Sequence, residues 1–254
     1  MTHTIALAGK GGVGKTTICG MLIGYLCEKN KGAVLAVDAD ANANLNEVLG
    51  VEVEATLGDI REEIAHAEET GAIPAGIGKQ DYAQMKFANA LSEADNFDLL
   101  VMGRTQGKGC YCFVNGLLSA EVQRYTGSYR YIVVDNEAGM EHISRGILPK
   151  VDTVILVSDC SRRGVQAAGR INQLCKELDI GAKNIKLIIN RAPGGVANEG
   201  VLEEVKNQGM ELLAVLPHDE DIYECDGSGI PTSTLPGDNA FRKALYSALD
   251  ELDL

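Results

Sequence analysis

The stretch Gly9-Lys10-Gly11-Gly12-Val13-Gly14-Lys15-Thr16-Thr17 has the residue types and spacing to hold an anion. Gly9, Gly14, Lys15 and Thr16 fill the fixed positions of the pattern G-x-x-x-x-G-K-[ST]. Glycines permit positive φ and put no Cβ between the backbone and a ligand. Successive N–H groups can then converge on anionic oxygens. A helix opening at the end of the loop adds its free N–H groups and the positive end of its dipole. In such a setting Lys15 would neutralise terminal phosphate charge, and the Thr16 hydroxyl would be a ligand for Mg²⁺. Three carboxylates belong with this loop. Asp38 and Asp40, in Asp38-Ala39-Asp40-Ala41-Asn42-Ala43-Asn44-Leu45, could act on water directly or through a Mg²⁺ shell. Asp135 closes the apolar run Tyr131-Ile132-Val133-Val134, where a carboxylate reaches a Mg²⁺ shell, often through water. A second chemistry stands in Gly107-Lys108-Gly109-Cys110-Tyr111-Cys112: two thiols that can face one soft metal.

These residues need a scaffold, and the apolar patterning supplies one. Ile5-Ala6-Leu7-Ala8 reads as a strand leading into the loop, and Ile18, Met21, Leu22, Tyr25 and Leu26 recur at helical spacing between Gly14 and Asn30. Further buried-type strands are predicted at Val34–Val37, Leu99–Met102, Tyr131–Asp135, Val154–Val157, Ile185–Ile189 and Leu212–Val215. Helices are expected over Val114–Tyr125, Arg163–Leu178 and Ala240–Leu249. Strands alternating with helices predict an α/β fold: a mostly parallel central sheet of about seven or eight strands, flanked by helices on both faces. Ligands of such sheets bind at the carboxyl ends of the strands, where Asp38, Asp40 and Asp135 fall. The expected organisation is one domain over residues 1–254 with a helical insertion near 46–98. Within it Leu57–Glu68 reads as an acidic helix, Gly71–Gly78 as a loop and Tyr82–Ala94 as a second helix.

Composition narrows the setting. Apolar residues make up 45% of the 254, enough for a large core. A net charge of −13 disfavours nucleic acid and anionic membranes as partners. The longest apolar runs are too short for membrane insertion, and the N-terminus enters a strand without a signal-like segment, so a cytoplasmic location is expected. Seven cysteines in that setting argue against a disulfide framework. Cys19, Cys27, Cys160, Cys175 and Cys225 read as small apolar residues, Cys225 in a late loop.

Lys10 is not needed by a generic phosphate loop. With it, Lys10-Gly11-Gly12-Val13-Gly14-Lys15-Thr16 resembles the K-G-G-x-G-K-[ST] signature of the deviant-Walker P-loop ATPases, the family of MinD, ParA and the nitrogenase iron protein. The resemblance implies ATP hydrolysis to ADP and phosphate with Mg²⁺. It implies that Lys10 reaches across a homodimer interface to the partner's nucleotide, that Lys15 and Thr16 hold phosphate and Mg²⁺, and that Gly11, Gly12, Val13, Gly14 and Thr17 cradle the nucleotide. It aligns Asp40 with the aspartate that orients or deprotonates the attacking water, and Asp38 with the one before it. Ala41 stands where the family usually has proline. Asp135 aligns with the Walker B carboxylate. Asp135-Asn136-Glu137-Ala138-Gly139 is similar to the family's D-x-x-A-G switch, whose glycine N–H senses the γ-phosphate. Asn190-Arg191 matches a pair that holds the base edge, and Pro217-His218-Asp219 matches a loop that borders adenine through main chain.

Two thiolates do not complete a metal site; structural zinc takes four ligands, and nickel accepts thiolates in tetrahedral or square-planar geometry. A two-fold axis would bring Cys110 and Cys112 of two copies together, giving a dimer bridged by four thiolates. Within the family, a signature lysine with a C-x-C at this place most closely resembles the CO dehydrogenase maturation ATPases, the CooC nickel-insertion proteins. That implies nickel (or zinc) at Cys110 and Cys112, nucleotide- or metal-dependent dimerisation, and CO dehydrogenase as the recipient. Two other readings are carried alongside: a MinD-like regulatory ATPase with structural zinc, and an iron–sulfur electron donor like the nitrogenase iron protein. The latter's second cysteine is missing, because no cysteine lies between Asp135 and Cys160.

Overall fold

The computed structural model describes residues 1–104, 111–139, 150–252 and 254. Its strands are β1 (His3–Gly9), β2 (Val34–Ala39), β3 (Leu91–Glu93), β4 (Asp98–Val101), β5 (Tyr131–Asn136), β6 (Thr153–Asp159), β7 (Asn184–Ala192) and β8 (Glu211–Pro217). The helices among the described residues are α1 (Lys15–Glu28), α2 (Leu45–Leu49), α3 (Leu57–Thr70), α4 (Lys79–Ala88), α5 (Tyr111–Tyr125), α6 (Arg162–Glu177), α7 (Glu199–Asn207), α8 (Glu220–Ser228) and α9 (Ala240–Asp250).

The strands form one sheet in the order β3-β4-β2-β5-β1-β6-β7-β8, parallel throughout except for the β3–β4 pair. Central strands buried on both faces are continuous apolar runs, as parallel sheets require. Successive side chains point to opposite faces. Thus Ala6, Ala8, Leu35, Val37, Ile132 and Val134 join one core with residues of α3, α5, α6 and α7. Ile5, Leu7, Val34, Ala36 and Val133 join the other with α1, α8 and α9.

The expected sheet with helices on both faces is what the chain builds. Tyr82–Ala94 is a correction: α4 stops at Ala88 and Leu91–Glu93 becomes the edge strand β3. Leu91, Ser92 and Glu93 pair antiparallel with Leu100, Leu99 and Asp98, and this pairing with a distant segment overrides the local helical pattern. The segment expected as a helical insertion therefore contributes α2, α3 and α4 and also a strand. Cys225 lies in helix α8 and not in a loop, because Asp219 caps that helix at Ile222 N–H and Gly229 ends it in the left-handed region. Cys19, Cys175 and Cys225 are buried, while Cys27 and Cys160 are half-buried. No helix of the described residues is long and apolar enough to cross a membrane.

Gly9, the last residue of β1, is paired with Val157 of β6. A Cβ there would lie 2.3 Å from the carbonyl oxygen of Val157. Gly9→Ala must therefore separate two central strands. We expect a loss of about 1–3 kcal/mol, as for other overpacked interiors, readable as a lowered denaturation midpoint; an unchanged midpoint would show that the strands yield freely.

Candidate functional site

The glycine-rich loop joins the end of β1 to the start of α1. Gly12 and Gly14 adopt φ of 77° and 90°, a region that side chains rarely enter. Gly14 is the residue before α1, and no side chain caps the helix there. The first-turn N–H groups are thus left for an outside acceptor. The loop is braced from below. Asn190, at the end of β7, donates from Nδ2 to the Val13 carbonyl at 2.8 Å, and a Cβ on Gly14 would come within 2.4 Å of that nitrogen. Arg191 donates from Nη1 to the Gly12 carbonyl at 3.0 Å. Lys15 is buried, with Nζ donating to the Lys10 carbonyl at 3.3 Å. Burial lowers the pKa of Lys15, opposed by the nearby Asp135, Asp40 and Glu137 carboxylates. The Lys10 side chain itself is exposed, as is Gly11.

The carboxylates converge on the same end of the sheet because β2 and β5 run in register, Asp38 opposite Asp135. Asp38 is fully buried and shapes the loop after β2, accepting from Asp40 N–H at 3.0 Å and Leu45 N–H at 2.9 Å. Burial pushes its pKa up to about 6 against the pull of those N–H groups. Asp135 is 2% exposed. Burial pushes it up to about 7, with the Thr16 hydroxyl bonded to its carboxyl pulling the other way and Asp38 adding to the rise. Its Oδ1 is buried and has no hydrogen-bond partner among the described residues. An orphaned carboxylate oxygen next to a threonine hydroxyl is the oxygen-rich donor set of a hard divalent cation, so the residues fit Mg²⁺.

Asp40 is half-buried, and its Oδ1 accepts from both the backbone N–H (2.8 Å) and Nδ2 (3.0 Å) of Asn42. Gly139 takes φ 100° and gives its N–H to the Gly9 carbonyl at 3.0 Å, so that this N–H must leave Gly9 before it can meet a phosphate. Next to Asp135, the buried Asn136 donates to the Leu7 carbonyl at 2.8 Å and ties β5 to β1.

A cavity of about 500 Å³ opens over the loop, lined by Gly11, Gly12, Gly14, Lys15, Thr16 and Asp40 among others. A second, of about 450 Å³, adjoins it between Asn190, Arg191, Pro217, His218, Asp219 and Tyr223. Thr17, Arg191 and Asp226 line both. The pair has the layout of an elongated ligand with an anionic end and a flat end. Asn190 and Asp219 are committed to the protein: Asn190 Oδ1 accepts from Arg191 N–H, and Asp219 accepts from Ile222 N–H and from Asn239 Nδ2. His218 lies 3.3 Å from Glu220 through Nε2 and Oε1. The structure thus brings together the loop, Asp40, Asp135, Gly139, Asn190, Arg191 and Pro217–Asp219. Cys110 lies outside the described residues. Of Cys112 only the backbone is described, in the first turn of α5. Glu137 and Asp226 also line the phosphate-side cavity. Position after Asp135 would have signalled Glu137; nothing local marks Asp226, which arrives from α8.

A raised carboxylate pKa makes the folded chain hold a proton that the unfolded chain releases, so ionisation works against the fold. For Asp135 the window runs from the unfolded value of about 3.9 to the folded value of about 7. We expect the stability of nucleotide-free protein to fall as pH rises across that window, and Asp135→Asn to flatten the fall; identical profiles for the two proteins would contradict it.

Comparison with known proteins agrees with this geometry. The CobQ/CobB/MinD/ParA nucleotide binding domain family matches residues 4–232. An ATP-binding protein of Methanocaldococcus jannaschii is 42% identical over 98% of this chain and 97% of its own. The carbon monoxide dehydrogenase accessory protein CooC of Rhodospirillum rubrum is 32% identical over 97% of this chain and 96% of its own. The septum site-determining protein MinD of Pyrococcus horikoshii, solved with Mg-ADP, superimposes with a TM-score of 0.73 over 100% of this chain and 96% of that one. At 24% identity the last likeness concerns the fold. The chain therefore belongs to the CobQ/CobB/MinD/ParA nucleotide-binding family and is an ATPase with the P-loop fold of MinD.

Proposed function

We propose that this ATPase is a metallochaperone: it binds nickel as cargo at Cys110 and Cys112, shared by two copies of the chain, and assists nickel insertion into CO dehydrogenase. The observation that carries the reading is the end-to-end likeness to the Rhodospirillum rubrum accessory protein in a chain that also holds Cys110-x-Cys112. ATP occupies the joined cavities with its phosphates on the loop and its base between Arg191 and Pro217–Asp219. The loop N–H groups and Lys15 hold the phosphate oxygens. Thr16 and Asp135 hold Mg²⁺, which when bound neutralises developing phosphate charge. Asp40 orients the attacking water and takes its proton as the oxygen bonds to the γ-phosphorus and ADP departs. Lys10, exposed in the glycine-rich loop, reaches the nucleotide of the second copy. ATP favours the closed pair, and hydrolysis releases it; nucleotide moves the equilibrium only by its differential affinity for the two states. Residues 1–254 act as one domain, in a soluble setting.

Two measurements test this. Asp40→Asn should lower kcat on the order of 100-fold, the range of a lost general base, with ATP binding kept; full turnover would remove Asp40 from the chemistry. Anaerobic size-exclusion chromatography with light scattering and metal analysis should find one nickel per two chains, lost in Cys110→Ala/Cys112→Ala while ATP binding persists. Nickel retained by that variant would overturn the metal site. A dimer that forms with ATP and takes up no metal would favour a regulatory ATPase of the MinD kind, and reductant-bleachable absorption after iron–sulfur reconstitution an electron donor.

A further inference from the structure

Asp40 does not stand alone. Its Oδ1 is held by both donors of Asn42, and no described residue bonds its Oδ2, which is left for the cavity that Asp40 lines. The Asn42 side-chain amide has two ends, and what fixes them is Arg104. The Arg104 guanidinium donates through Nη2 to Asn42 Oδ1. Arginine is a donor with no acceptor, and a carboxylate is an acceptor with no donor. Between the two, the Asn42 amide has one satisfying orientation: oxygen to Arg104, nitrogen to Asp40.

Arg104 is itself anchored from a distant part of the chain. The segment after β4 is clamped between the end of β2 and the start of α3. Met102 N–H donates to the Asp38 carbonyl at 2.9 Å, and Gly58 N–H donates to the Met102 carbonyl at 3.0 Å. A Cβ on Gly58 would come within 2.3 Å of the Arg104 carbonyl oxygen, and one on Gly103 within 2.2 Å of Thr56 Oγ1. Thr56 and Asp59 close a capping box that fixes the start of α3. Arg104 is exposed and is absent from the lining of the phosphate-side cavity, so its reach to the nucleotide passes through Asn42.

We propose that Arg104 is a positioning residue of the hydrolytic centre: it orients the Asn42 amide, which in turn holds the Asp40 carboxylate toward the attacking water. The inference rests on Asp40 acting on that water. Without Arg104 the Asn42 amide is free to turn, Asp40 loses its Nδ2 donor, and the carboxylate samples orientations that do not serve attack. Affinity for ATP does not depend on this chain of contacts; turnover does.

The test is steady-state ATP hydrolysis by the full chain and its variants Arg104→Gln, Arg104→Lys, Asn42→Ala, the Arg104→Gln/Asn42→Ala double variant and Asp40→Asn, each with a thermal melt. Arg104→Gln and Asn42→Ala should each lower kcat about 10–20-fold, the low end of the scale of one hydrogen bond to a charged group. The KM for ATP should stay within about two-fold and the melting temperature near wild type. Arg104→Lys, still donor-only, should recover most of the loss. The double variant should be no slower than Asn42→Ala, because both changes break one linkage. Multiplying losses, a change confined to KM, or wild-type kcat in Arg104→Gln would overturn the role of Arg104 alone if Asp40→Asn is inactive. Wild-type kcat in Asp40→Asn would overturn both this inference and the assignment of Asp40.

Discussion

The register of β2 on β5, and of β5 on β1, governs the rest of this molecule. It sets Asp38 opposite Asp135, with Leu7 and its carbonyl across from Asp135 on the other side. A slip by one residue would move every side chain of a strand to the opposite face. The apolar alternation that fills two separate cores thus fixes, through the same pairing, where two carboxylates meet the loop. Asn136 locks that pairing by donating to the Leu7 carbonyl, within the sheet and beyond reach of solvent. Packing and chemistry are specified by one set of backbone hydrogen bonds.

That geometry concentrates negative charge in a dry place. Asp38 and Asp135 are both buried, and Lys15 is the cation buried among them. Asp38 is relieved by N–H groups of the segment it organises. Asp135 has the Thr16 hydroxyl and an oxygen with no partner among the described residues. The two differ in kind: one carboxylate is spent on structure, the other keeps an oxygen with no hydrogen-bond partner among the described residues. The division follows from which one the neighbouring backbone satisfies, since burying an unsatisfied charge is costly and burying a satisfied one much less so.

Much of this was readable from residue order, and the reason is locality. The loop, the Asp38–Asp40 segment and Asp135 each follow an apolar run directly, so the strand and its functional end are written side by side. The contacts that hold them were not readable, because they join residues far apart. Asn190 bracing Val13, Gly139 bonding Gly9 and Arg104 meeting Asn42 span 177, 130 and 62 positions. The same holds for β3, which is a strand only because β4 lies beside it, and for α7 and α8, capped by Asn198 and Asp219 and too short for periodicity to announce. Asn190 illustrates the limit: motif order assigns it to the nucleotide base, while its amide in the structure is engaged by the loop and by Arg191.

The small antiparallel strand at the margin has a consequence for how the protein behaves in a crowded solution. Open sheets end in rows of unpaired N–H and C=O groups that can template the strand of another chain. Here one margin is β3, three residues long, with Glu93 set directly against Asp98. Like charges facing across a ladder disfavour its extension. The other margin, β8, meets β7 with register shifts that break the regular row. Segment 45–93 thus does more than pack beside the sheet. It covers the flank of β4 with a short border carrying an acidic residue, which makes that sheet edge a poor template for the strand of another chain.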